Sequence, residues 1–189
     1  MPFIYFPFVG AVSLLMHDWG RSTVEIANIG NEGVVGLSSL LADVPDPMEI
    51  VAQVATHGLL LDIEAARSLA AQHSTLDCML QRYAQAMIVQ IGQNVVCNRL
   101  HRAEARCARW ILNLHDRAIA NEILITHEIL GYTLGVRRAT ITVAAKVLQS
   151  EGLIEYRRGT LTVTNRPGLE FAACECYQII RDVQDEVFH

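Results

Sequence analysis

Five cysteines are the first candidates for chemistry in this chain, because a thiolate can ligate a metal or be oxidised. They are Cys78, Cys97, Cys107, Cys174 and Cys176. Their odd number and the lack of a Cys-x-x-Cys pair indicate reduced thiols in a cytoplasmic protein. Cys174 and Cys176 are the only close pair, and two helical residues at this spacing point about 200° apart. We therefore predict a structural role for this pair and no metal site, with redox sensing and metal binding as alternatives.

The histidines do not form a catalytic pattern. His127-Glu128 lacks the second histidine that a zinc-protease helix requires. A cupin-type metal centre needs histidines and a glutamate close together, and no segment supplies them. The other histidines that we considered are scattered singly, at His17, His57, His73, His101 and His115. We expect no enzymatic activity and no cofactor.

Basic and hydroxyl side chains near the C-terminus suit a polyanion. Arg137 and Arg138 stand at the predicted start of a helix, where free backbone N–H groups also attract phosphate. Thr140 and Thr142 add hydroxyls that can contact phosphate or base edges. Arg157 and Arg158 occupy the tip of a predicted hairpin, next to the same helix. These residues predict a DNA-binding surface.

The elements that position these residues form a winged helix-turn-helix pattern. Thr126 can cap a helix over 127–134, which Gly135 would end. A second helix is predicted over 138–150, ending at Gly152. Alternation over 153–156 and 161–164 predicts a hairpin, and Pro167 suits the first turn of a last helix that reaches residue 187. A helix pair with a Gly-containing turn and an appended hairpin is typical of DNA-binding domains.

The first part of the chain has the short apolar runs of a β-sandwich or barrel. We predict strands over 4–8, 11–16, 23–29, 34–37, 50–55 and 59–63, with a loop over 43–47. A long helix follows, in which apolar residues recur every three or four positions and predict a dimer contact. This stripe consists of Leu76, Leu80, Tyr83, Met87, Ile91 and Val95. Residues 103–114 predict a further helix.

Charge is unevenly distributed along the chain. The 189 residues are 51% hydrophobic and carry a net charge of −5, which by itself argues against a nucleic-acid partner. Residues 99–168, however, hold 11 basic and 6 acidic side chains, while the segments before and after them are acidic. The basic segment contains the predicted helix-turn-helix, as attraction to DNA requires. No apolar run approaches the roughly 18 residues of a membrane span.

The sequence resembles the Crp/Fnr family of bacterial transcription regulators over nearly its whole length. The N-terminal matches are Tyr5-Phe6-Pro7, Gly10 to Leu14, Val24 to Ala27, and Gly30 to Gly36. The C-terminal matches, which are more specific, are Gly135 to Thr140, Leu148 to Ile154, and Tyr156 to Gly159. The resemblance implies an α+β fold with a cyclic-nucleotide-binding-like β-roll, a long dimerisation helix and a C-terminal winged helix-turn-helix. It also implies a homodimer on double-stranded DNA with two-fold related half-sites, and RNA polymerase as a further partner.

The resemblance assigns DNA-binding roles residue by residue. Arg138 matches the recognition-helix arginine, and Thr140 and Thr126 match positions that contact the DNA backbone. Arg137 stands where the family often has serine. Ala139 replaces a glutamate that reads cytosine, so the half-site should differ from the familiar one. The domains implied are a partial β-roll over 1–73, a dimerisation helix over 74–100 and the DNA-binding domain over 101–189.

Several departures concern the sensor region. Gly36 is followed by Leu37 where the family's pocket has Gly-Glu, and the loop with Asp46 offers no arginine for a cyclic phosphate. We predict no cyclic-nucleotide binding by the usual mode. No cysteine precedes Cys78, so an N-terminal iron–sulfur centre is not expected. Because Tyr5-Phe6-Pro7 stands so near the start, we expect an incomplete β-roll with an open edge.

Two functions from different classes remain open at this point. The first is a homodimeric, sequence-specific DNA-binding regulator. The alternative is a ligand- or partner-binding module whose winged helix contacts protein. The salt dependence of binding to random duplex DNA distinguishes them, because phosphate contacts weaken steeply as salt rises.

Overall fold

The mixed α+β architecture is confirmed by the structure, a computed structural model that describes residues 2–20, 22–42, 47–118 and 121–188. An N-terminal sheet packs on a long helix, which leads into a winged helix-turn-helix. The N-terminal elements are β1 (Phe3–His17), β2 (Thr23–Ile29), α1 (Leu37–Leu41), β3 (Glu49–Asp62), α2 (Ile63–Gln72) and α3 (Ser74–Leu100). The C-terminal elements are α4 (Ala103–Arg117), β4 (Glu122–Leu124), α5 (His127–Thr133), α6 (Arg138–Ser150), β5 (Ile154–Arg157), β6 (Thr160–Val163), α7 (Arg166–Ala172) and α8 (Cys176–Phe188).

The predicted strand over 23–29 is confirmed as β2, but the prediction of six short strands is wrong. The described residues form three antiparallel strands in the order β2-β1-β3, and β1 and β3 each join two predicted strands. Gly10, interpreted as a break, has a φ of 90° and carries β1 through a bulge against β3. Gly58 likewise lies within β3, where it pairs with Pro7 of β1. Glycine is needed there because a Cβ would lie 2.0 Å from the Phe6 carbonyl oxygen. The predicted strand over 34–37 is reduced to one bridge between Val35 and Tyr5. Of the predicted loop, residues 43–46 lie outside the described residues.

The open edge expected for this sheet is present among the described strands. β3 pairs with β1 along one side and has no strand on its other side in the part of the chain that the structure describes. Asp62 ends β3 and caps α2, because its carboxylate accepts hydrogen bonds from the backbone N–H groups of Glu64 and Ala65.

The long helix is confirmed, but its apolar stripe faces inward. Leu80, Tyr83 and Met87 are buried in the core of the N-terminal sheet. Leu76 and Ile91 pack on the same core, and Val95 alone of the six is exposed. The structure therefore corrects the predicted dimer contact, since five of these six side chains lie in or against a core that the same chain forms with its sheet and α8.

The winged helix-turn-helix follows the predicted order closely. The second helix has the predicted bounds, and the first ends one residue early. The hairpin turns at Arg158 and Gly159, both with positive φ, which matches the twist of the flanking strands. A short strand that the sequence did not predict, β4, adds to β6 and completes a sheet in the order β4-β6-β5.

The prediction of a single last helix is wrong, because this part of the chain forms two helices, α7 and α8. Its start is confirmed: the Asn165 side chain accepts a hydrogen bond from the Gly168 N–H, and Pro167 lies in the first turn. Cys174 lies in the break and Cys176 begins α8, so the two cysteines do not share a helix. Their side chains are therefore not held about 200° apart, as they would be at this spacing within one helix. α8 packs against α3, and its Val183 and Val187 join the core of the N-terminal sheet.

No helix among the described residues combines the length and hydropathy that a bilayer span requires.

Candidate nucleic-acid interface

The two helices of the helix-turn-helix are held at a fixed angle by a tight turn and a shared core. The Thr126 hydroxyl accepts a hydrogen bond of 3.2 Å from the Ile129 N–H and caps α5. Gly131 allows the backbones to approach, since a Cβ there would lie 3.1 Å from the Val136 carbonyl oxygen. Leu130 and Ile141 are fully buried between the helices. α6 therefore presents one defined face to solvent.

The N-terminus of α6 is open. Arg137 is the residue that precedes it, and the Arg137 side chain makes no capping hydrogen bond to the backbone of the first turn. Arg137 and Arg138 are both exposed beside this turn. The partial positive charge of the helix end and two guanidinium groups thus stand together, which is the arrangement that phosphate binds.

The exposed face of α6 extends further than the sequence analysis proposed. Arg138, Ala139 and Thr140 are exposed at its start. Val143, which is 58% exposed, and Lys146 continue this face by about two more turns. Neither was predicted, although their spacing of four and seven residues from Ala139 places them on its side of the helix. An exposed Val143 can contact a thymine methyl group, and Lys146 can reach phosphate.

Contrary to the prediction, the Thr142 hydroxyl is not directed to solvent but is hydrogen-bonded within the domain. Its Oγ1 donates to the Arg138 carbonyl oxygen at 3.1 Å and lies 3.1 Å from His127 Nδ1. The His127 ring in turn packs on Tyr156, with ring centroids 4.5 Å apart. Burial, and then the nearby Arg138 guanidinium, lower the pKa of His127. Thr142 therefore positions α6 against α5 and the wing.

The wing places its two arginines at the hairpin tip. Arg157 and Arg158 are exposed, and Arg157 Nε lies 2.6 Å from Glu155 Oε1. An ion pair this exposed contributes little stability, so a phosphate can replace the carboxylate. The Tyr156 N–H donates to Gln149 Oε1 at 3.0 Å, and the Tyr156 hydroxyl donates to the Ile125 carbonyl. The first bond ties the wing to α6, and the second ties it to the segment that precedes α5.

Comparison with known proteins identifies this arrangement. The sequence profile of the Crp-like helix-turn-helix domain matches residues 105–172. The FixK2 structure from Bradyrhizobium japonicum superposes with a TM-score of 0.75 at 17% identity, over 92% of this chain and 88% of that chain. The Crp/Fnr-family regulator TTHA1359 from Thermus thermophilus gives 0.71 at 18% identity, over 90% and 87%. The chain has the Crp/Fnr fold. No curated protein matches the sequence.

The Crp-like domain is fastened to the N-terminal sheet by two buried carboxylates. Arg117 of α4 contacts Glu32 through Nη2 at 2.6 Å and Nε at 3.1 Å, and donates from Nη1 to the Asn113 carbonyl at 2.7 Å. Trp110 Nε1 of α4 donates to Glu25 Oε1 of β2 at 2.9 Å. The Ser13 hydroxyl donates to the other oxygen of Glu25.

The pKa values of the two carboxylates are shifted in opposite directions. Glu25 lies away from water, and this burial raises its pKa to about 7 against the opposing effect of its hydrogen bonds and of Arg109 and Arg117. Glu32 is also buried, but the Arg117 guanidinium keeps its pKa below the usual range. Sequence reasoning did not single out either contact, because each partner is remote in the chain.

The sensor region of this Crp/Fnr fold has an apolar cavity between the sheet and α3. Its volume is about 190 Å³, and Gly36 lies in its wall. The residue after Gly36 is Leu37, which begins α1 and also lines the cavity. Asp46, which we expected near a cyclic phosphate, lies outside the described residues. The cavity is otherwise lined mainly by aliphatic side chains, among them Leu14, Ile29, Met48, Met87 and Ile91.

Proposed function

We propose that this chain is a sequence-specific DNA-binding transcription regulator that acts as a homodimer. The observation that carries the proposal is the exposed basic face of α6. Arg137 and Arg138 flank the N-terminus of the helix, and Lys146 lies about two turns further along. The basic wing is bonded to the helix through Gln149. On this proposal α6 enters the major groove, and Arg157 and Arg158 contact the flanking phosphates. The chain acts by binding rather than by catalysis, in the cytoplasm, where DNA and RNA polymerase are present.

A different, exposed face of α3 is suited to contact with a second copy of the chain in the proposed homodimer. Ile88 is 72% exposed and Val95 is 64% exposed, and Gly92 between them has open space in place of a side chain. Residues at positions 88, 92 and 95 follow the spacing of four and three that forms a coiled-coil seam. α3 has 27 residues, long enough for such a seam to hold two DNA-binding domains over two-fold related half-sites.

We further propose that the regulator does not bind a cyclic nucleotide by the usual mode. The aliphatic lining of the cavity beside α3 and the Leu37 side chain that follows Gly36 support this. A cyclic phosphate there would lose water without gaining a cation, which is unfavourable. The cavity better suits a small apolar ligand.

The DNA interface predicts different behaviour for α6 and the wing. We expect Arg138→Ala to weaken binding to a cognate site by roughly 10- to 100-fold, because a lost base contact costs about 1–3 kcal/mol. Arg157→Ala should weaken all sequences equally and reduce the salt slope by about one unit. Fluorescence anisotropy with a site selected from genomic fragments, and with random duplex, measures both effects.

The matched control for these variants is Arg67→Gln, which removes one positive charge from α2, away from the interface. It should bind DNA as the parent does. Equal losses on cognate and random DNA from Arg138→Ala would show that Arg138 does not read bases. A parent protein with no enriched motif and no salt dependence would favour the protein-binding module instead.

The proposed seam predicts that Ile88→Glu converts the dimer to a monomer. Two buried carboxylates would face each other across the two-fold axis, and each lacks a partner. Analytical ultracentrifugation should show a dissociation constant raised at least about 100-fold, since such a charge costs about 3 kcal/mol or more. Cognate DNA binding should weaken in parallel.

Met79→Glu serves as the control for this change. Met79 is 41% exposed on the same helix but lies about half a turn around it from Ile88. The dimer should persist in this variant. A parent protein that is monomeric at all concentrations, or an Ile88→Glu protein that remains dimeric, would contradict the proposed seam.

A further inference from the structure

Four metal-ligating side chains converge where α3 ends and the chain passes from α7 to α8. They are Cys97, His101, Cys174 and Cys176, and their ligand atoms all lie within 4.8 Å of one another. Cys97 Sγ lies 3.5 Å from Cys174 Sγ, and Cys176 Sγ lies 3.4 Å from His101 Nδ1. None of these four residues belongs to the DNA interface described above or to the described lining of the sensor cavity.

The fold assembles this group from two separate segments. Cys97 lies in the last turn of α3, and His101 follows the helix directly, with its backbone N–H bonded to the Cys97 carbonyl. The two residues therefore lie one above the other at the end of α3. The break between α7 and α8 frees Cys174 from helical spacing. Both Cys174 and Cys176 can therefore turn towards the end of α3.

Two contacts between the ligand atoms have the lengths of edges in a tetrahedral zinc site. Zinc binds sulfur at about 2.3 Å and nitrogen at about 2.0 Å, so a tetrahedral site has edges of about 3.8 Å between sulfurs and about 3.5 Å between sulfur and nitrogen. The two short contacts of 3.5 Å and 3.4 Å agree with these edges. Three cysteines and one histidine are a ligand set of structural zinc sites. Four ligand atoms so close together suit a single ion better than a cluster of several.

The surroundings support a closed metal site. Cys97 and Cys176 are fully buried and Cys174 is 8% exposed, so the thiols are shielded from water. His101 Nε2 lies 3.2 Å from Glu175 Oε1, which leaves Nδ1 directed at the cysteines. A carboxylate on the outer nitrogen is the usual partner of a metal-bound histidine.

Further polar groups face the sulfurs. Gln93 Nε2 donates to Cys176 Sγ at 3.1 Å. Three thiolates around a divalent cation leave one negative charge. Arg109, which interacts electrostatically with Cys97 and Cys174, can offset it. Arg109 is 3% exposed, and its Nε has no hydrogen-bond partner among the described residues.

We propose that Cys97, His101, Cys174 and Cys176 bind one Zn²⁺ ion in a closed, four-coordinate site. The three thiols bind as thiolates and release their protons to solvent. The ion would link the end of α3, next to the start of the DNA-binding domain, to the start of α8, which packs back on α3. It would thus fasten the C-terminal segment to the long helix.

Metal analysis of the full chain, purified with a reductant, tests this site directly. We expect one zinc per chain. Replacement by Co²⁺ should give the intense visible absorption of a tetrahedral ion together with thiolate-to-cobalt charge-transfer bands, whose intensity reports three sulfurs. This spectrum needs no variant. A chain that takes up neither Zn²⁺ nor Co²⁺ in stoichiometric amount, or that shows an octahedral cobalt spectrum, would overturn the proposal.

Variants then assign the ligands. Cys97→Ser and Cys176→Ser should each weaken Zn²⁺ binding at least 100-fold in competition with a chelating dye. Cys78→Ser is the matched control, since Cys78 is exposed on the same helix and lies outside the group. His101→Cys should retain cobalt with charge-transfer bands stronger by one sulfur, which separates a lost ligand from a misfolded chain. Undiminished binding in Cys97→Ser and Cys176→Ser, or a Cys97–Cys174 disulfide as the stable state under reductant, would contradict the site.

Discussion

Replacement of Arg117 by methionine is expected to lower the free energy of unfolding by about 3–5 kcal/mol, the usual cost of removing one partner of a buried ion pair. The Arg117 side chain is 6% exposed and the Glu32 side chain 16% exposed, so water can solvate neither group well. Loss of the guanidinium leaves the Glu32 carboxylate with a hydrogen bond from the Gly30 N–H but without a counter-charge. Urea denaturation monitored by circular dichroism measures the change.

Two comparisons isolate the ion pair. The double variant Glu32→Gln/Arg117→Met should recover part of the loss, because it leaves no unpaired charge. Glu64→Gln breaks the pair that Glu64 forms with Arg67, in which the Glu64 side chain is 73% exposed, and should change stability by less than about 1 kcal/mol. A loss in Arg117→Met no larger than that of Glu64→Gln would mean that the buried pair does not hold the domains together.

The second large effect is a loss of stability as pH rises through neutrality. The pKa of Glu25 is raised from 4.5 to about 7 by burial, so between these values the folded chain binds a proton that the unfolded chain has released. Stability therefore decreases with rising pH across this window. A shift of this size corresponds to about 3 kcal/mol between pH 4.5 and pH 7.5.

Glu25→Gln should remove this component, because the amide keeps the shape of the carboxylic acid and does not titrate. Its oxygen can still accept the hydrogen bond from Trp110. Unfolding curves of the parent and the variant at several pH values give the contribution of Glu25 directly, because the contributions of the other titrating groups cancel in the difference. His127 is one such group: its lowered pKa makes stability fall as pH drops below about 6.5, the opposite direction. Parallel curves for parent and Glu25→Gln would show that Glu25 is not buried as the structure indicates.

The Arg117–Glu32 ion pair and the Glu25 site both lie at the junction between the N-terminal sheet and the Crp-like domain, so changes there have a functional consequence. Glu25 lies in β2 and Glu32 in the turn after it, while their partners Trp110 and Arg117 lie on α4 of the Crp-like domain. These contacts set the orientation of the DNA-binding domain relative to the sheet. We expect DNA affinity to change in both variants, with the α6 surface itself intact.

The sequence by itself determined those parts of the fold whose signals are local. Thr126 caps α5 through a hydrogen bond to a residue three positions away, and Gly135 and Gly152 adopt the positive φ that ends a helix. The Arg158-Gly159 turn needs no distant partner either. Such signals act within a few residues, so the bounds of α6 and the hairpin followed from the sequence. The basic segment was visible for the same reason, because charge adds up along the chain.

Only the tertiary structure decided which apolar and polar faces meet. Periodicity identified an apolar stripe on α3 but could not tell whether this stripe packs on the same chain or on a second copy. In the structure it packs on the core of the same chain. Gly10 and Gly58 looked like breaks, but they continue strands because a neighbouring strand is present. Burial in the folded chain raises the pKa of Glu25. Cys174 is brought next to Cys97, which lies 77 residues away in the sequence. Burial and side-chain convergence depend on such distant contacts, which a local pattern does not contain.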